Sequence, residues 1–320
     1  MRGPLRSVVG LAPWYQRRTF WGGAEIRFLG TGETCSDYLS LLAAPDHEQA
    51  VVETLAKFVA SQRSRVDRLF LEGVAQEDRL LSQFAECLRT QYGFQIRNAP
   101  ALGSYRVALP PTWDEYLSQL SPTRRQRVRQ MWRNQFDTGQ ATVCVATDEA
   151  SLQRGLAILV DLHQQRQRQL GHPGCFASPQ FKNFLYAAAQ QHLATGHLRL
   201  QWIELDGQPI AAEFDLLSGN VRMHYCSGIA IDTAFPRPGW LGISAAIRHA
   251  INEGCKSFDF LRGDEGYKSH WRGEPVPMVD WESIPPTGRA RVRQRLRTLV
   301  QATKRQVKRV VRRRQKEVRE

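Results

Sequence analysis

Apolar residues recur along this chain with two alternating periods, and that alternation predicts an α/β protein. Short apolar or period-two runs fall at Val8 to Tyr15, Glu25 to Gly30, Val66 to Leu71, Ser104 to Leu109 and Ala141 to Ala146, and read as strands. Between them, helical spacing runs from Asp46 to Gln62 through Val51, Val52, Leu55, Phe58 and Val59, with Asp46 as a cap, and again from Glu77 to Tyr92. Ser121 followed by Pro122 opens a further helix. Ser151 to Leu170, with Leu152, Leu156, Leu159, Val160 and His163 inward, and Pro179 to Ala194 are two more.

Three strands then follow in close order: Leu198 to Leu205, Pro209 to Leu217 and Val221 to Ser227. Asp206-Gly207 closes the first pair as a hairpin, and Ser218-Gly219-Asn220 joins the second. Alternation puts Ala211, Glu213 and Asp215 on one face of the middle strand and Ala212, Phe214 and Leu216 on the other. A Pro/Gly-rich stretch from Phe235 to Ser244 enters a helix that runs to about Glu253 and ends at Gly254. Phe258 to Leu261 reads as a short central strand, and Met278 to Trp281 closes the sheet.

Charge changes this picture at one end only. The formal net charge of the 320 residues is +13, but positions 288–320 hold 14 Lys+Arg against Glu317 and Glu320, while the other 287 residues hold 30 Lys+Arg against 29 Asp+Glu. A nearly neutral body therefore carries a basic tail. Val292, Leu296, Leu299, Thr303, Val307 and Val310 give the tail a helical apolar stripe. Three partners fit it: an anionic membrane surface, nucleic acid, or the body itself, met through that stripe. The arginines of 124–129 have no interleaved aromatics, so they read as a solvated helix face, with a ligand-phosphate role as the alternative.

The six cysteines lie far apart, form no Cys-x-x-Cys pair and show no zinc spacing with histidine, so they read as thiols of a reducing, cytoplasmic compartment, and no metal is expected. No run of 18 apolar residues predicts a membrane span, and the patch from Val8 to Pro13 is too short for a signal peptide.

The chemistry concentrates after the Phe258 strand, in Phe258-Asp259-Phe260-Leu261-Arg262-Gly263-Asp264-Glu265-Gly266-Tyr267-Lys268-Ser269-His270-Trp271. A polar cluster at a strand end is where open α/β sheets bind ligands, although an internal ion pair of Arg262 with Asp264 or Glu265 would account for some of it. The Pro238-Gly239 helix entry exposes backbone N–H groups, and the positive end of the helix dipole suits a pyrophosphate.

The Phe-Asp-Phe-Leu-Arg-Gly-Asp-Glu-x-Tyr-Lys-x-x-Trp run resembles the signature of the CelD/BcsL-type acetyltransferase family, a branch of the GNAT superfamily. Leu162-His163, Arg166, Gly171, Gly174 and Phe176 extend the likeness, as do Gly10 to Tyr15, Arg27 to Gly32 and Ser36 to Tyr38. The resemblance implies a GNAT-like mixed sheet flanked by helices, in tandem halves. These are a truncated N-terminal half over 1–111, an acetyltransferase domain over 112–284 and a basic helical tail over 285–320. It implies acetyl-CoA or another acyl-CoA as co-substrate, held by Arg237, Pro238, Gly239, Trp240, Leu241 and Gly242; Arg237 stands where the family usually has serine. The acceptor would be an amine on a small molecule, a sugar or a polysaccharide precursor, met by His163, Arg166, Arg262, Glu265, Lys268 and Trp271. Glu213 is the candidate base, Tyr225 and Tyr267 are candidate acids, and Asp264 orients the amine. The alternatives are a FemAB-like transferase, which alone would call on tRNA, and a non-catalytic membrane-associated scaffold.

Overall fold

The computed structural model describes residues 7–20, 23–231, 233, 235 and 237–300. The chain divides into two compact units, one of residues 1–102 with 277–320, the other of residues 103–276. The expected breaks at 111/112 and 284/285 fall elsewhere in the structure. The strand at 104–108 pairs within the second unit, and the strand at 278–284 pairs within the first.

In chain order the first unit contributes β1 (Gly10–Leu11), β2 (Trp14–Thr19), β3 (Gly23–Phe28), β4 (Leu42–Ala43), α1 (Glu48–Ser61), β5 (Arg68–Ala75), α2 (Arg79–Tyr92) and β6 (Gln95–Pro100). Leu69 and Leu71 of β5 and Phe28 of β3 pack with Val52, Ala56 and Val59 of α1 and Leu81, Phe84 and Leu88 of α2. Phe58 falls off the inward stripe of α1 and is exposed. Asp46 is not its cap: the N-cap position is His47, and Asp46 has a φ of 65°. Asp78 does cap α2, accepting from Leu81 N. β6 has no counterpart in the sequence reading because it is an almost wholly exposed strand and lacks apolar alternation.

The second unit runs β7 (Ser104–Ala108), α3 (Trp113–Gln119), α4 (Pro122–Gln135), β8 (Ala141–Val145), α5 (Glu149–Gln169), α6 (Pro179–Ala194), β9 (Leu198–Leu205), β10 (Gln208–Ser218), β11 (Val221–Ile229), α7 (Pro238–Asn252), β12 (Ser257–Asp259) and β13 (Glu274–Val276). Its seven strands are ordered β13-β7-β12-β11-β10-β9-β8. β11 and β12 pair in parallel across the α7 crossover, and the other neighbours are antiparallel.

Helices cover both faces of this sheet. Leu152, Leu156 and Leu159 of α5 and Phe181 and Leu185 of α6 pack on Leu200, Trp202, Ala212 and Phe214. On the other face Tyr116 of α3, Val128 and Met131 of α4, and Leu241, Ala245 and Ile247 of α7 pack on Ile203, Ala211 and Phe258. α5 comes down onto β11 at Gly228, where a Cβ would lie 2.8 Å from His163 N and 2.9 Å from Leu159 O, so only glycine permits the approach.

The chain returns to the first unit with β14 (Met278–Ile284) and α8 (288–300). The first unit's main sheet is ordered β2-β3-β5-β14-β6, with β3 and β5 parallel. α8 does not dock by its apolar stripe: Val292, Leu296 and Leu299 are exposed, while Ala290, Gln294 and Arg297 are buried. Carboxylates decide the orientation. Arg289 Nε reaches Asp67 Oδ1 at 2.8 Å, Arg293 lies 3.5 Å from Asp67 Oδ2, and Arg297 lies 3.6 Å from Glu282. Thr303, Val307 and Val310 lie outside the described residues. No helix among the described residues is long and apolar enough to cross a membrane.

Candidate active site

α7 begins with Pro238 at its first position, and Arg237, its N-cap residue, makes no side-chain capping bond. The positive end of the helix is thus left uncapped by its own sequence. Trp240 in the first turn has Arg237 over its ring at 5.4 Å and Arg127 of α4 at 5.7 Å, with Trp271 at 5.3 Å and His270 at 6.4 Å. Neither Arg127 nor Arg237 makes an ion pair with a carboxylate among the described residues. Arg124 sends Nη1 to Ser269 O at 3.4 Å, on the same flank. Burial, then Arg124 and Arg237, lowers the His270 pKa, which is what surrounding cations do to an imidazole.

The arginines of α4 therefore separate by position. Arg125 donates to Ser118 O and Arg129 approaches Asp114, whereas Arg124 and Arg127 turn to the start of α7. The sequence could not make that distinction, because it turns on which helix lies alongside. Among the residues expected to hold the cofactor, Arg237, Gly239 and Trp240 remain at the surface of the helix entry. Leu241 is fully buried in the core and Gly242 faces the sheet, so these two are packing residues.

Beneath α7 lies a row of buried polar groups carried by β9, β10 and β11. Arg222 donates to Asp215 Oδ2 at 2.6 Å and to Gln201 Oε1 at 2.9 Å. His224 Nδ1 lies 2.7 Å from Asp215 Oδ1, and its Nε2 lies 3.4 Å from Glu213 Oε2. Gln201 and His249 of α7 extend the row, at 3.1 Å. Glu213 sits at the end, wholly buried, with both carboxylate oxygens lacking a hydrogen-bond partner. Glycine at 242 makes room for it, since a Cβ there would collide with Glu213 Oε1.

The two carboxyls of β10 are driven apart. Burial, and then the charge of Asp215, pushes Glu213 well above the ordinary carboxylate range. Burial opposes ionisation of Asp215 too, but Arg222 and His224 outweigh it and bring its pKa down. Two carboxyls with opposed shifts in one buried cluster are the pattern that separates a proton carrier from a permanent anion. Tyr267 stands close enough for both charges to act on it. Burial first, then Glu213, raises its phenol, which stays protonated.

The loop after β12 has a different character. Asp259 accepts from Ser104 Oγ at 2.5 Å, Arg106 Nε at 2.8 Å and Leu261 N at 2.8 Å. Lys268, expected to meet an anionic ligand, is instead buried, with Nζ bound to the carbonyls of Leu261, Arg262 and Gly263 at 2.9, 3.0 and 3.2 Å and to Glu265 at 2.8 Å. Burying an ammonium requires that its donors be satisfied, and here they are spent on closing the loop. An internal ion pair of the loop is thus Lys268 with Glu265. Trp271 is likewise a core residue whose carbonyl accepts from Tyr116 OH at 2.9 Å, rather than a ligand contact. Asp264 and Glu265 are exposed at the tip. Tyr267 packs edge-on to Phe260 and shares the α7-side core with Trp240, so the signature loop and the α7 entry lie on one face of the sheet.

Three expected site residues lie elsewhere. The register of β10 and β11 shifts between Phe214 and Asp215, and Tyr225 packs on the α5 and α6 face, 6.1 Å from the Phe214 ring, away from Glu213. His163 is on that face too, edge-on to Phe176 and 3.6 Å from Cys175 Sγ. Its pKa is raised, because the Cys175 and Gln164 contacts outweigh the opposing effect of burial. Cys175 is drawn down to about 5, first by the hydrogen bond from Cys226, with burial opposing and His163 assisting. Arg166 is exposed on the last turn of α5. A cavity of about 520 Å³ opens nearby, lined by Asp161, Leu162, Gln165, Ile210, Ala230 and Thr233 among others.

Residues 122–269 match the acetyltransferase (GNAT) domain family model. FemX is similar in structure with a TM-score of 0.62 at 10% identity, over 93% of this chain and 88% of that one. The C-terminal DUF2156 domain of an Agrobacterium fabrum protein assigned as a lysylphosphatidylglycerol synthetase gives 0.54 at 11% identity, over 91% and 88%. L-PGS from Bacillus licheniformis gives 0.53 at 10% identity, over 95% and 88%. Comparison with curated proteins finds no match. The match over residues 122–269 supports an acyltransferase with a GNAT-like domain there. The likeness to these structures runs along nearly the whole chain and shows a shared fold.

Proposed function

We propose that this protein transfers an acyl group from acyl-CoA, with acetyl-CoA the first choice, to an amine. The observation that carries the reading is the buried, unpartnered carboxyl of Glu213 beneath a helix entry flanked by Arg127 and Arg237. The cofactor's phosphates would meet Arg124, Arg127, Arg237 and the first-turn N–H groups around Gly239 and Trp240. The neutral amine attacks the thioester carbonyl carbon, the C–S bond breaks, and the amine proton passes to ionised Glu213. His224, tied to Asp215, stands behind Glu213 as the second stop for that proton. Tyr267, with its phenol held protonated, is the hydrogen-bond donor for the departing sulfur. Asp264, Glu265 and Arg262 lie on the loop that would meet the acceptor.

The acceptor class is an amine on a sugar, a polysaccharide precursor or another envelope component. The protein would act on the cytoplasmic side, with the exposed Val292, Leu296 and Leu299 of α8 and the basic residues beyond suited to an anionic membrane surface. One observation favours a second reading, in which the acyl donor is an aminoacyl-tRNA: the likeness to FemX is a fold-level match over both units.

Titration with each donor separates the readings. Acetyl-CoA at a hundred times its dissociation constant should stabilise the protein by about 2.7 kcal/mol. Thiol release should then follow the addition of amino sugars. A protein that ignores acetyl-CoA but binds aminoacyl-tRNA would reverse the order of the two readings, and one that binds neither would remove both.

A further inference from the structure

We propose that His163 Nε2, Cys175 Sγ and Cys226 Sγ form a three-ligand site for a thiophilic divalent cation of the zinc class, with a fourth position left for water or an incoming ligand. These three donor atoms, from the last turns of α5, the 3-10 turn at Cys175–Ala177 and β11, all lie within 4.8 Å of one another. In a tetrahedral zinc site with Zn–S about 2.3 Å and Zn–N about 2.05 Å, a sulfur and a nitrogen ligand sit about 3.6 Å apart. His163 Nε2 and Cys175 Sγ are 3.6 Å apart. Two sulfur ligands would sit about 3.8 Å apart, so no separation in the trio needs to close by more than about 1.2 Å.

The surroundings aim the donors. The tautomer that leaves the Nε2 lone pair free needs a partner for Nδ1–H, and Gln164 Oε1 lies 3.2 Å from Nδ1. That amide is itself fixed, because Gln164 Nε2 donates to Pro173 O at 2.9 Å. Such an outer partner is what metal-bound histidines normally keep. Gly174, at a φ of 74°, belongs to the same arrangement: a Cβ there would collide with Gln164 Oε1. Gly228 brings the α5 backbone down beside β11 and so sets His163 close to Cys226. Spacing along the chain hides the set, since the ligands come from three distant elements.

The test uses the full chain, purified reduced and free of chelators, with Co²⁺ and Zn²⁺ as probes. One equivalent of Co²⁺ should bind with the visible bands of a tetrahedral thiolate site, and Zn²⁺ should displace it. Cys226→Ala, Cys175→Ser and His163→Ala should each abolish the bands, and Cys35→Ala should leave them unchanged. Gln164→Ala should weaken binding by about 10–100-fold while the ligands remain. Circular dichroism and thermal melts on every variant separate lost ligation from lost folding, and Gln164→Ala keeps the proposal testable if a ligand variant fails to fold. A reduced, folded wild type that binds no Co²⁺, or bands that survive Cys226→Ala, would overturn the site. So would a Cys175–Cys226 disulfide that re-forms in preference to metal binding.

Discussion

Two polar regions on the α7 face of the second unit invite comparison: the loop after β12 and the row beneath α7. Both hold buried charge in a low-dielectric setting. In the loop, each buried charge is answered: Asp259 by three donors and Lys268 by three carbonyls and Glu265. In the row, Asp215 is answered by Arg222 and His224, but Glu213 is left with bare oxygens. A satisfied charge holds structure, whereas an unsatisfied one is costly and persists where it has other work to do. The richest run of polar residues in the sequence is therefore mostly a fastener, and the proposed base stands on a quieter strand.

That contrast can be broken most sharply at Glu213. Glu213→Gln should lower kcat by about 10²–10⁴-fold, the range for a general base, while leaving acetyl-CoA affinity unchanged by calorimetry. It should not destabilise. A carboxyl whose folded pKa is raised binds more protons folded than unfolded, so it lowers stability as pH rises above its unfolded value of about 4.3. Denaturant melts should accordingly show the variant gaining on wild type as pH rises from there.

Lys268 should behave in the opposite sense. Lys268→Met strands three carbonyls and should cost about 3 kcal/mol in urea unfolding. Arg127→Ala and Arg237→Ala stand between these extremes, each expected to weaken acetyl-CoA binding about 10-fold, and less at high salt, with kcat little altered. The smallest effect belongs to Glu265→Gln, at about 1 kcal/mol or less, because that carboxylate is more than half exposed and water screens the pair.

The sequence carried the fold well where burial imposes a period. The meander of β9 to β11, the α7 helix and its Pro238 entry, and the face shared by Glu213 and Asp215 were all legible from spacing and turn residues. β6 was not, because an exposed strand has no apolar rhythm. The sequence left the partner of α8 open, and only its docking by the apolar stripe fails: buried Asp67 and half-buried Glu282 draw in the arginines, and Val292, Leu296 and Leu299 face outward. Within the candidate site, the roles of Glu213 and Tyr267 came from the family resemblance and not from spacing, while Lys268 and Trp271 resemble ligand residues in a string of letters and prove to be internal. Their roles depend on what the loop closes over. Tyr225 lies on the α5 and α6 face beside Phe214, by the alternation that turns its neighbour His224 toward Asp215.

Burial and the charge of Asp215 hold the proton on Glu213 well past the ordinary carboxylate range. Its carboxyl stretch can be followed by infrared difference spectroscopy, wild type minus Glu213→Gln, through a pH titration. A neutral-carboxyl band, present only in wild type, should persist well above the ordinary carboxylate value of about 4.3 and fade as activity rises. A band already gone at a pH of about 5 would contradict this.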